Sequence, residues 1–358
     1  METQQNRYQQ LANYALLGNT GMYFGSPING GSQYKTIALP SSPWSQQVDA
    51  IEYPFASDYD QEEYGENAAL SRMGAYEMTR ILKSYGVELS PFNIPNQIST
   101  LVTEKPLQGK RFLDIGCGPG RFPIALGALG AQVNAFDATA SYLDITGRKI
   151  ATTENALRQK LDVNLSQCPA EEYDYGLGQY DGISCMFGVL NHVELGLALL
   201  PNIIAGLKPN GVFNLSMYGP NNALVFEQTQ NGALKDYQPS ILQKRAEGGI
   251  LLGDSTEVLP ASFPYPNEIM QAVSESGLKI IDTKGLLRIA SLFPREPNNE
   301  SIEFFFDLLD KVDPDAANKL HRYARDPVQL LLRSFQYDIK NQENLNDFAY
   351  LLVQSTKQ

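Results

Sequence analysis

Three alternate glycines, between a mostly apolar stretch and a helical stretch, are the residues of this chain best suited to bind a ligand. They are Gly116, Gly118 and Gly120, and they follow the run 112–115. Glycine has no Cβ, so a ligand can approach the backbone closely at each of these positions. The start of the following helix offers unpaired N–H groups as well. The turn therefore predicts a binding site for a nucleoside.

The spacing of these glycines distinguishes between two kinds of nucleoside. A dinucleotide fold has the pattern G-x-G-x-x-G, whose third glycine would fall at Arg121, a bulky residue. This chain has G-x-G-x-G instead, with Asp114 two residues before the first glycine. A carboxylate there repels a pyrophosphate and attracts an ammonium group. These features favour S-adenosylmethionine (SAM), which carries an amino-acid tail and no phosphate.

A second acid and a loop further along the chain fit the same ligand. Residues 132–137 read as a strand that ends at Asp137, about 20 residues after the glycines, where one carboxylate can accept two hydrogen bonds from a ribose diol. NAD would use such an acid equally well. Residues 163–167 read as a short alternating strand, and the loop 168–171 that follows is placed to border an adenine ring.

Two more strand patterns predict the elements that position these groups. Residues 180–187 read as a buried strand that opens into a turn with Asn191 and His192. Residues 207–216 read as a Pro-Asn-Gly turn followed by a further strand. Strands that alternate with helices in this way predict an α/β fold with a parallel sheet.

Taken in order, these patterns resemble the class I SAM-dependent methyltransferase family over about residues 110–290. Residues 114–120 match its glycine-rich motif I, and residues 207–216 its "LKPGG" turn and fifth strand, with Asn210 where the family usually has glycine. The resemblance implies a Rossmann-like, seven-stranded, mostly parallel sheet with a helical N-terminal lid and a helical C-terminal extension. It also implies S-adenosyl-L-methionine as cofactor. The residues expected to bind this cofactor are Asp114, Gly116, Cys117, Gly118, Gly120, Asp137, Ala138, Ala170, Glu171 and Phe187.

His192 is the candidate catalytic residue. Methyl transfer from SAM is an in-line displacement, in which the enzyme aligns a nucleophile and excludes water, and a general base helps when the acceptor is a hydroxyl. His192 is one of two histidines and follows the fourth strand, at the edge of the sheet where acceptor and methyl group should meet. Its alternative role is a structural hydrogen bond at the end of that strand.

Five residues are candidates for binding the acceptor. Tyr218 and Asn222 follow the fifth strand, and Asn191 belongs to the turn after the fourth. Tyr59 and Tyr64 lie where members of the resembled family often carry tyrosines near the methionine part of SAM; the alternative is that both pack half-buried. An amide at position 191, in place of an acid, weakens a site for a hard cation, so no metal is expected.

Composition restricts the kinds of partner. The chain has 358 residues, 43% of them hydrophobic, and a net charge of −12, which argues against a nucleic-acid or anionic-membrane surface. The three cysteines have no C-x-x-C spacing, so we expect reduced thiols rather than disulfides or a zinc site. The first residues lack a basic and then apolar leader, and no run of 18 apolar residues occurs. These observations predict a cytoplasmic protein that acts on a small molecule.

Three segments are expected along the chain. Residues 1–108 hold an N-terminal segment and a helical lid, where apolar spacing predicts a helix over about 67–85. Residues 109–290 form the SAM-binding domain, with an insert over 223–266, and residues 291–358 form a helical extension. Apolar spacing in this extension indicates packing or dimer contact, so a homodimer through N- or C-terminal helices is a candidate assembly.

The expected activity is methyl transfer from SAM to a small-molecule acceptor, most simply to oxygen, with carbon and nitrogen as further options and S-adenosylhomocysteine as product. Two other functions stay open at this point. One is a SAM-fold subunit without catalysis that binds a protein partner. The other is an NAD-dependent oxidoreductase, which Arg121 and Asp114 disfavour.

Overall fold

A mixed sheet of eight strands forms the centre of the molecule. The structure is a computed structural model, and the residues that it describes are 34–43, 45–48, 50, 69–88, 100–219, 249–251, 258–288, 290, 299–342, 345, 348 and 350–358. The strands within these residues are β1 (Lys35–Thr36), β2 (Arg111–Ile115), β3 (Gln132–Asp137), β4 (Val163–Gln167), β5 (Tyr180–Cys185), β6 (Leu207–Tyr218), β7 (Gly249–Leu251), β8 (Val258–Pro260), β9 (Leu278–Leu286) and β10 (Tyr350–Lys357).

The strand order of the large sheet is β1-β4-β3-β2-β5-β6-β10-β9, and β7 and β8 form a separate antiparallel pair. Neighbours from β1 to β6 run parallel, and β10 runs antiparallel between β6 and β9. Parallel strands joined by helices give the predicted α/β, Rossmann-like architecture.

Helices cover both faces of this sheet. The described α-helices with defined bounds are α1 (Ala69–Lys83), α2 (Arg121–Ala128), α3 (Ala140–Leu157), α4 (Leu200–Ala205), α5 (Pro266–Glu275), α6 (Asn299–Val312), α7 (Pro314–Leu320) and α8 (Pro327–Lys340). Short 3₁₀ helices span Ala170–Glu172, Val189–Asn191, Gly196–Leu199 and His321–Tyr323. None of the described helices is long and apolar enough to cross a membrane.

Two hydrophobic clusters make up most of the core. One joins α1, α2 and the C-terminal helices through side chains such as Met73, Ile124 and Phe335. The other joins α4 and α5 to the sheet through side chains such as Ile203 and Ile269. Because both faces of the sheet are covered, its central strands β2, β5 and β6 are buried over nearly continuous runs.

The sequence predicts seven strands, and the structure has one more, the edge strand β1. This strand pairs with β4, and the N–H of Ile37 just beyond it donates a hydrogen bond to the carbonyl of Gln167 at 2.9 Å. A strand of two residues is too short to show an alternating pattern, which is why the sequence did not reveal it.

The prediction of a purely helical extension over 291–358 is wrong at its end, because the last eight residues of that range before Gln358 form β10. The residues of β10 pair with β6 on one side and with β9 on the other. Its buried run 350–353 has the continuous apolar character of a central strand, which periodicity alone does not separate from a buried helix. The boundaries of the three predicted domains stay a prediction.

Local sequence explains the ends of several elements. Asp313 and Asp326 cap α7 and α8, since their carboxylates accept hydrogen bonds from the backbone N–H of Ala316 and Gln329, and a proline follows each cap. At the predicted Pro-Asn-Gly turn, Asn210 has a φ of +62°. That conformation favours glycine and is tolerated by asparagine, so Asn210 can replace the family's usual glycine.

Candidate functional site

An open cavity lies at the carboxyl ends of the parallel strands and has a volume of about 890 Å³ including its mouth. Its wall contains residues that follow β2, β3, β4, β5 and β6. In open α/β sheets ligands bind at this edge. The cavity is therefore the candidate active site.

The three glycines of the turn have different tasks. A Cβ at Gly116 would lie 2.5 Å from a methyl group of Val189, and a Cβ at Gly120 would lie 2.6 Å from Cγ2 of Thr146. The fold itself therefore needs glycine at these two positions. A Cβ at Gly118 would meet no atom within 4 Å, and this residue lines the cavity. The bare backbone at Gly118 is thus open to the cavity, and its contact with a ligand stays a prediction.

Asp137, the predicted ribose acid, is held in place at the cavity wall. Its two carboxylate oxygens accept hydrogen bonds from the N–H of Gly118 and the N–H of Thr139, both at 2.9 Å. Thr146 donates a further hydrogen bond to the carbonyl of Gly118 at 2.7 Å, which ties the turn to α3. Each carboxylate oxygen has two lone pairs, so a carboxylate can accept from a ribose hydroxyl in addition to a backbone N–H.

The adenine side of the cavity combines predicted and unpredicted residues. Ala170 and Glu171, both predicted, line the wall together with Ala138. Ser45 and Val48 close it from the N-terminal segment that follows β1. No motif marks these two residues, because they come from a region outside the resembled family's pattern.

Cys168, the first residue of the loop that the sequence places beside the adenine, also lines this side of the cavity. Its side chain is buried, and burial raises the pKa of the thiol to about 11. The thiol is therefore protonated near neutral pH and contributes to the wall as a small apolar group rather than as a nucleophile.

Three predicted cofactor residues do not form part of the cavity wall. Asp114 is 1% exposed and accepts a hydrogen bond from the hydroxyl of Ser184 at 2.5 Å, so its carboxylate lies beneath the turn. Cys117 and Gly120 are also buried and belong to the turn itself. The ammonium contact predicted for Asp114 stays a prediction.

His192 lines the cavity and makes two hydrogen bonds through its ring. Its Nδ1 lies 2.8 Å from the carbonyl of Pro260. A carbonyl only accepts, so Nδ1 carries the proton and Nε2 accepts from the hydroxyl of Tyr218. Burial lowers the pKa of His192 to about 4, against the opposing effect of the Pro260 carbonyl, so the imidazole is neutral near pH 7.

Tyr218 ends β6 and lines the cavity beside His192. Glycine at position 188, with a φ of +80°, makes room for it, because a Cβ there would collide with the ring of Tyr218. Asn191 is fully buried and fixes the backbone of Tyr218: its amide oxygen accepts from the N–H and its amide nitrogen donates to the carbonyl, each at 3.0 Å. The same nitrogen donates to the carbonyl of Ser262.

These contacts correct the prediction that Asn191 binds the acceptor. Its amide is occupied by backbone groups, and no part of it reaches the cavity. Phe187, a predicted cofactor residue, does line the cavity, next to the unpredicted Met186. Tyr59, Tyr64 and Asn222 lie outside the described residues. Across the ranges given above, no three His, Cys, Asp or Glu side chains come together as a metal site, and the expectation of no required metal stays a prediction.

A family model and several known proteins are similar to this chain. Residues 93–251 match the model of a family described as "Methyltransferase domain". A ubiquinone biosynthesis O-methyltransferase from Coxiella burnetii (strain Dugway 5J108-111) is 26% identical over 201 residues, which cover 56% of this chain and 77% of the relative. A protein of the same name from Burkholderia pseudomallei (strain 1710b) is 26% identical over 192 residues, which cover 54% of this chain and 74% of the relative.

A solved structure of Haemonchus contortus phosphoethanolamine N-methyltransferase 2 with S-adenosyl-L-methionine has 17% identity and a TM-score of 0.49, and the match covers 88% of this chain and 60% of that one. The strand order around the antiparallel β10, the glycine turn and the domain match agree with one another. Residues 93–251 of the chain therefore match a methyltransferase domain, and the chain is similar to the class I SAM-dependent methyltransferases.

Proposed function

We propose that this enzyme moves a methyl group from SAM to an oxygen atom of a small-molecule acceptor, with S-adenosylhomocysteine as the second product. One observation carries the proposal: a single cavity holds both the carboxylate of Asp137 and the neutral imidazole of His192. Methyl transfer to a hydroxyl is helped by a site that holds the cofactor and carries a base within reach of the acceptor. The O-methyltransferase names of the Coxiella and Burkholderia relatives support oxygen as the acceptor atom.

In this proposal the cofactor lies along the wall between the glycine turn and the adenine side. Asp137 holds the ribose hydroxyls, the loop 168–171 borders the adenine, and the backbone of Gly118 lies against the ligand. When bound, SAM supplies a methyl group on a positively charged sulfonium. The described wall contains the acids Asp137 and Glu171 and no Lys or Arg, so its charge favours a cationic ligand.

His192 takes the proton that the acceptor hydroxyl loses. The acceptor's O–H donates to the hydroxyl oxygen of Tyr218, whose own proton moves to Nε2 of His192 as the oxygen is methylated. The resulting imidazolium keeps its Nδ1–H hydrogen bond to Pro260, and the carbonyl dipole stabilises the new positive charge. Near pH 7 the imidazole of His192 is neutral, so its Nε2 has the lone pair that accepts this proton.

The acceptor is a neutral compound with a hydroxylated, apolar ring. Near His192 the wall consists of Met186, Phe187, Val189, Val193 and the ring of Tyr218, which are apolar or aromatic. Such a surface favours a flat ring, and a phosphate or carboxylate would have no counter-ion from the described wall. The relatives' names, which place them in ubiquinone biosynthesis, support an acceptor of this kind.

The test is methyl transfer from isotopically labelled SAM by the purified full-length chain to a panel of phenols, with the corresponding anilines and thiophenols as matched compounds. We expect label on the phenol oxygen, located by mass spectrometry of the product. Faster transfer to the anilines would contradict O-methylation. Tight binding of S-adenosylhomocysteine without transfer to any hydroxylated ring would refute the proposed acceptor class.

The base is tested with His192→Gln, and His321→Gln serves as the matched control because it changes the other of the two histidines. We expect turnover to fall by about 10²–10⁴ in the first variant and to stay unchanged in the second. The dissociation constant for S-adenosylhomocysteine should stay the same in both. Wild-type turnover in His192→Gln would leave the residue with a structural role.

The remaining expectations belong to the same proposal. The enzyme works in the cytoplasm on a small molecule, without nucleic-acid or membrane partners, and a homodimer through its terminal helices is its candidate assembly. The excess of acidic over basic residues, 40 against 28, supports the lack of a nucleic-acid partner. Light scattering on the purified chain measures the assembly, and a monomer at micromolar concentration would rule out the homodimer.

A further inference from the structure

We propose that Tyr350, the first residue of β10, is a positioning residue of the acceptor site, whose ring holds the ring of Tyr218 against His192. The inference rests on the proposed function for the identity of the acceptor. The contacts of Tyr350 from which it is argued do not depend on that function. It gives β10, within the predicted C-terminal extension, a part in acceptor binding, where the sequence predicts only packing or dimer contact.

Tyr350 contacts two residues of the cavity wall from behind. The register of β10 against β6 places it opposite Tyr218, and the two ring centroids lie 5.1 Å apart at an angle of 87°. Its ring also meets that of Phe187, at 6.4 Å and 68°. Both are edge-to-face arrangements, which aromatic rings favour. Tyr350 is 5% exposed and is not part of the wall itself, so its ring acts as a support.

The ring of Tyr218 depends on such support. Asn191 fixes the backbone of Tyr218, but the described contacts of its ring come from separate elements. His192 lies at 5.3 Å between centroids, Phe263 at 6.2 Å and Tyr350 at 5.1 Å. Among these three, Tyr350 lies in the large sheet directly beside β6, and its loss would let the Tyr218 ring turn away from His192.

Phe187 needs the same support for a second reason. Its φ of +59° is uncommon for a bulky residue and costs conformational energy. Its ring packs against Phe122 at 6.2 Å and against Tyr350, and the guanidinium of Arg121 lies 5.7 Å from its centroid. Tyr350 therefore helps to hold two cavity-wall rings whose placement decides how an acceptor ring lies in the site.

The helical segment before β10 keeps this end of the sheet in place. The buried carboxylate of Asp338, on α8, accepts hydrogen bonds from the N–H of Arg288 at 3.1 Å and of Ala290 at 2.9 Å, just after β9. The side chain of Gln342 bonds to both the N–H and the carbonyl of Gly285. The end of α8 is thus fastened to the end of β9, two strands away from the residues that line the cavity.

The first test compares Tyr350→Leu and Tyr350→Phe in the full-length chain. Tyr76→Leu is the matched control, since Tyr76 is also buried in an edge-to-face pair, with Phe335 at 5.9 Å, and does not line the cavity. With a phenol that the wild type methylates, we expect kcat/KM for the acceptor to fall about tenfold or more in Tyr350→Leu. The Phe variant should restore it to within about threefold, and Tyr76→Leu should retain it. The dissociation constant for S-adenosylhomocysteine should change less than twofold in all three.

The second test does not require an acceptor. The chain has two histidines, so ¹⁵N-labelled histidine gives one set of ring signals for His192 and one for His321, which His321→Gln assigns. We expect Tyr350→Leu to shift the Nε2 signal of His192 because its hydrogen bond with Tyr218 is weakened, and to leave His321 unchanged. Tyr350→Met replaces Tyr350→Leu where the latter does not fold.

These tests separate the two proposals. Unshifted His192 signals in the folded variant would overturn the role of Tyr350, whatever the acceptor is. Unchanged acceptor kinetics, or an equal loss in Tyr76→Leu, would overturn it as well. Shifted His192 signals in a chain that methylates no hydroxylated ring would support the role of Tyr350 and refute the proposed function.

Discussion

At the scale of single residues, Gly118 differs from the other two glycines of the turn, because no neighbouring atom occupies the place of its missing Cβ. Gly116 and Gly120 would collide with neighbouring side chains if they carried a Cβ, whereas a Cβ at Gly118 would point into open space. The sequence predicts all three as cofactor residues without distinguishing them. Only the packing of Val189 and Thr146, which come from distant parts of the chain, reveals the difference.

Gly118→Ala should therefore reduce cofactor affinity while the fold survives. Its φ of +49° makes the substitution cost about 1–2 kcal/mol in stability. The dissociation constant for S-adenosylhomocysteine, measured by calorimetry, should rise at least about tenfold, because the new methyl group occupies space that the ligand needs.

Gly178→Ala is the matched control for this substitution. Gly178 has a φ of +58°, a Cβ there would also meet nothing within 4 Å, and the residue is exposed away from the cavity. It should lose similar stability and keep its affinity. Equal affinities for the two variants would refute the assignment of Gly118 to the ligand.

The lowered pKa of His192 leads to a second prediction at this scale, about how the stability of the folded chain changes with pH. Its pKa is lowered to about 4 in the folded chain from the ordinary value of 6.5. Between these values the unfolded chain binds a proton and the folded chain does not, so this contribution to stability is present above pH 6.5 and is lost as the pH falls towards 4. The melting temperature of His192→Gln should therefore fall less between pH 7 and pH 5 than that of the wild type. Parallel pH profiles for the two proteins would contradict the lowered pKa.

At the scale of elements, the sequence predicts the strands that carry motifs and misses β1 and β10, which carry none. The predicted strand over 132–137 matches β3 in full, and 163–167 matches β4. These short strands end at the acid or the loop that the sequence predicts to bind the ligand, so each has a recognisable end. β1 and β10 have no such end, and their places in the sheet depend on pairing with residues over a hundred positions away.

The same reasoning applies to the residues of the site. Asp137 and His192 were predicted because they follow strands of the parallel sheet, whose carboxyl ends meet at one edge. Ser45, Val48 and Tyr350 were missed because the elements that carry them reach this edge from the two ends of the chain. Asn191 was assigned to the acceptor because its backbone partners in β6 and after β8 are not visible in sequence.

The prediction at this scale concerns the pairing of β1 with β4. Ile37→Pro removes the N–H that bonds to Gln167 and should detach the N-terminal segment from β4. Because that segment carries Ser45 and Val48, the cavity should lose its cover on the adenine side, and affinity for S-adenosylhomocysteine should fall about tenfold. Leu39→Pro, at an exposed residue beyond the pairing with β4, is the control and should bind normally. Equal binding by both variants would mean that β1 does not hold the cover in place.

At the scale of the whole molecule, residues 350–357 complete the large sheet. β10 lies inside the sheet, paired with β6 over 212–218 and with β9 over 278–286, so it joins β9 to the other strands. Lys357, at the end of β10, donates hydrogen bonds to the carbonyls of Ile204 and Leu207 and so joins the strand to the end of α4. A segment with these contacts belongs to the core of the enzyme.

Deletion of residues 350–358 should therefore abolish the folded state rather than trim an appendage. It would remove the buried side chains of Leu351, Leu352 and Val353 and leave two long strand edges unpaired, which favours aggregation. Size-exclusion chromatography and thermal unfolding followed by circular dichroism should find aggregates and no cooperative transition, whereas a chain that lacks Gln358 alone should behave as wild type. A monomeric deletion variant that still unfolds cooperatively and binds S-adenosylhomocysteine would show that the sheet is complete without β10, and the role proposed for Tyr350 would fall with it.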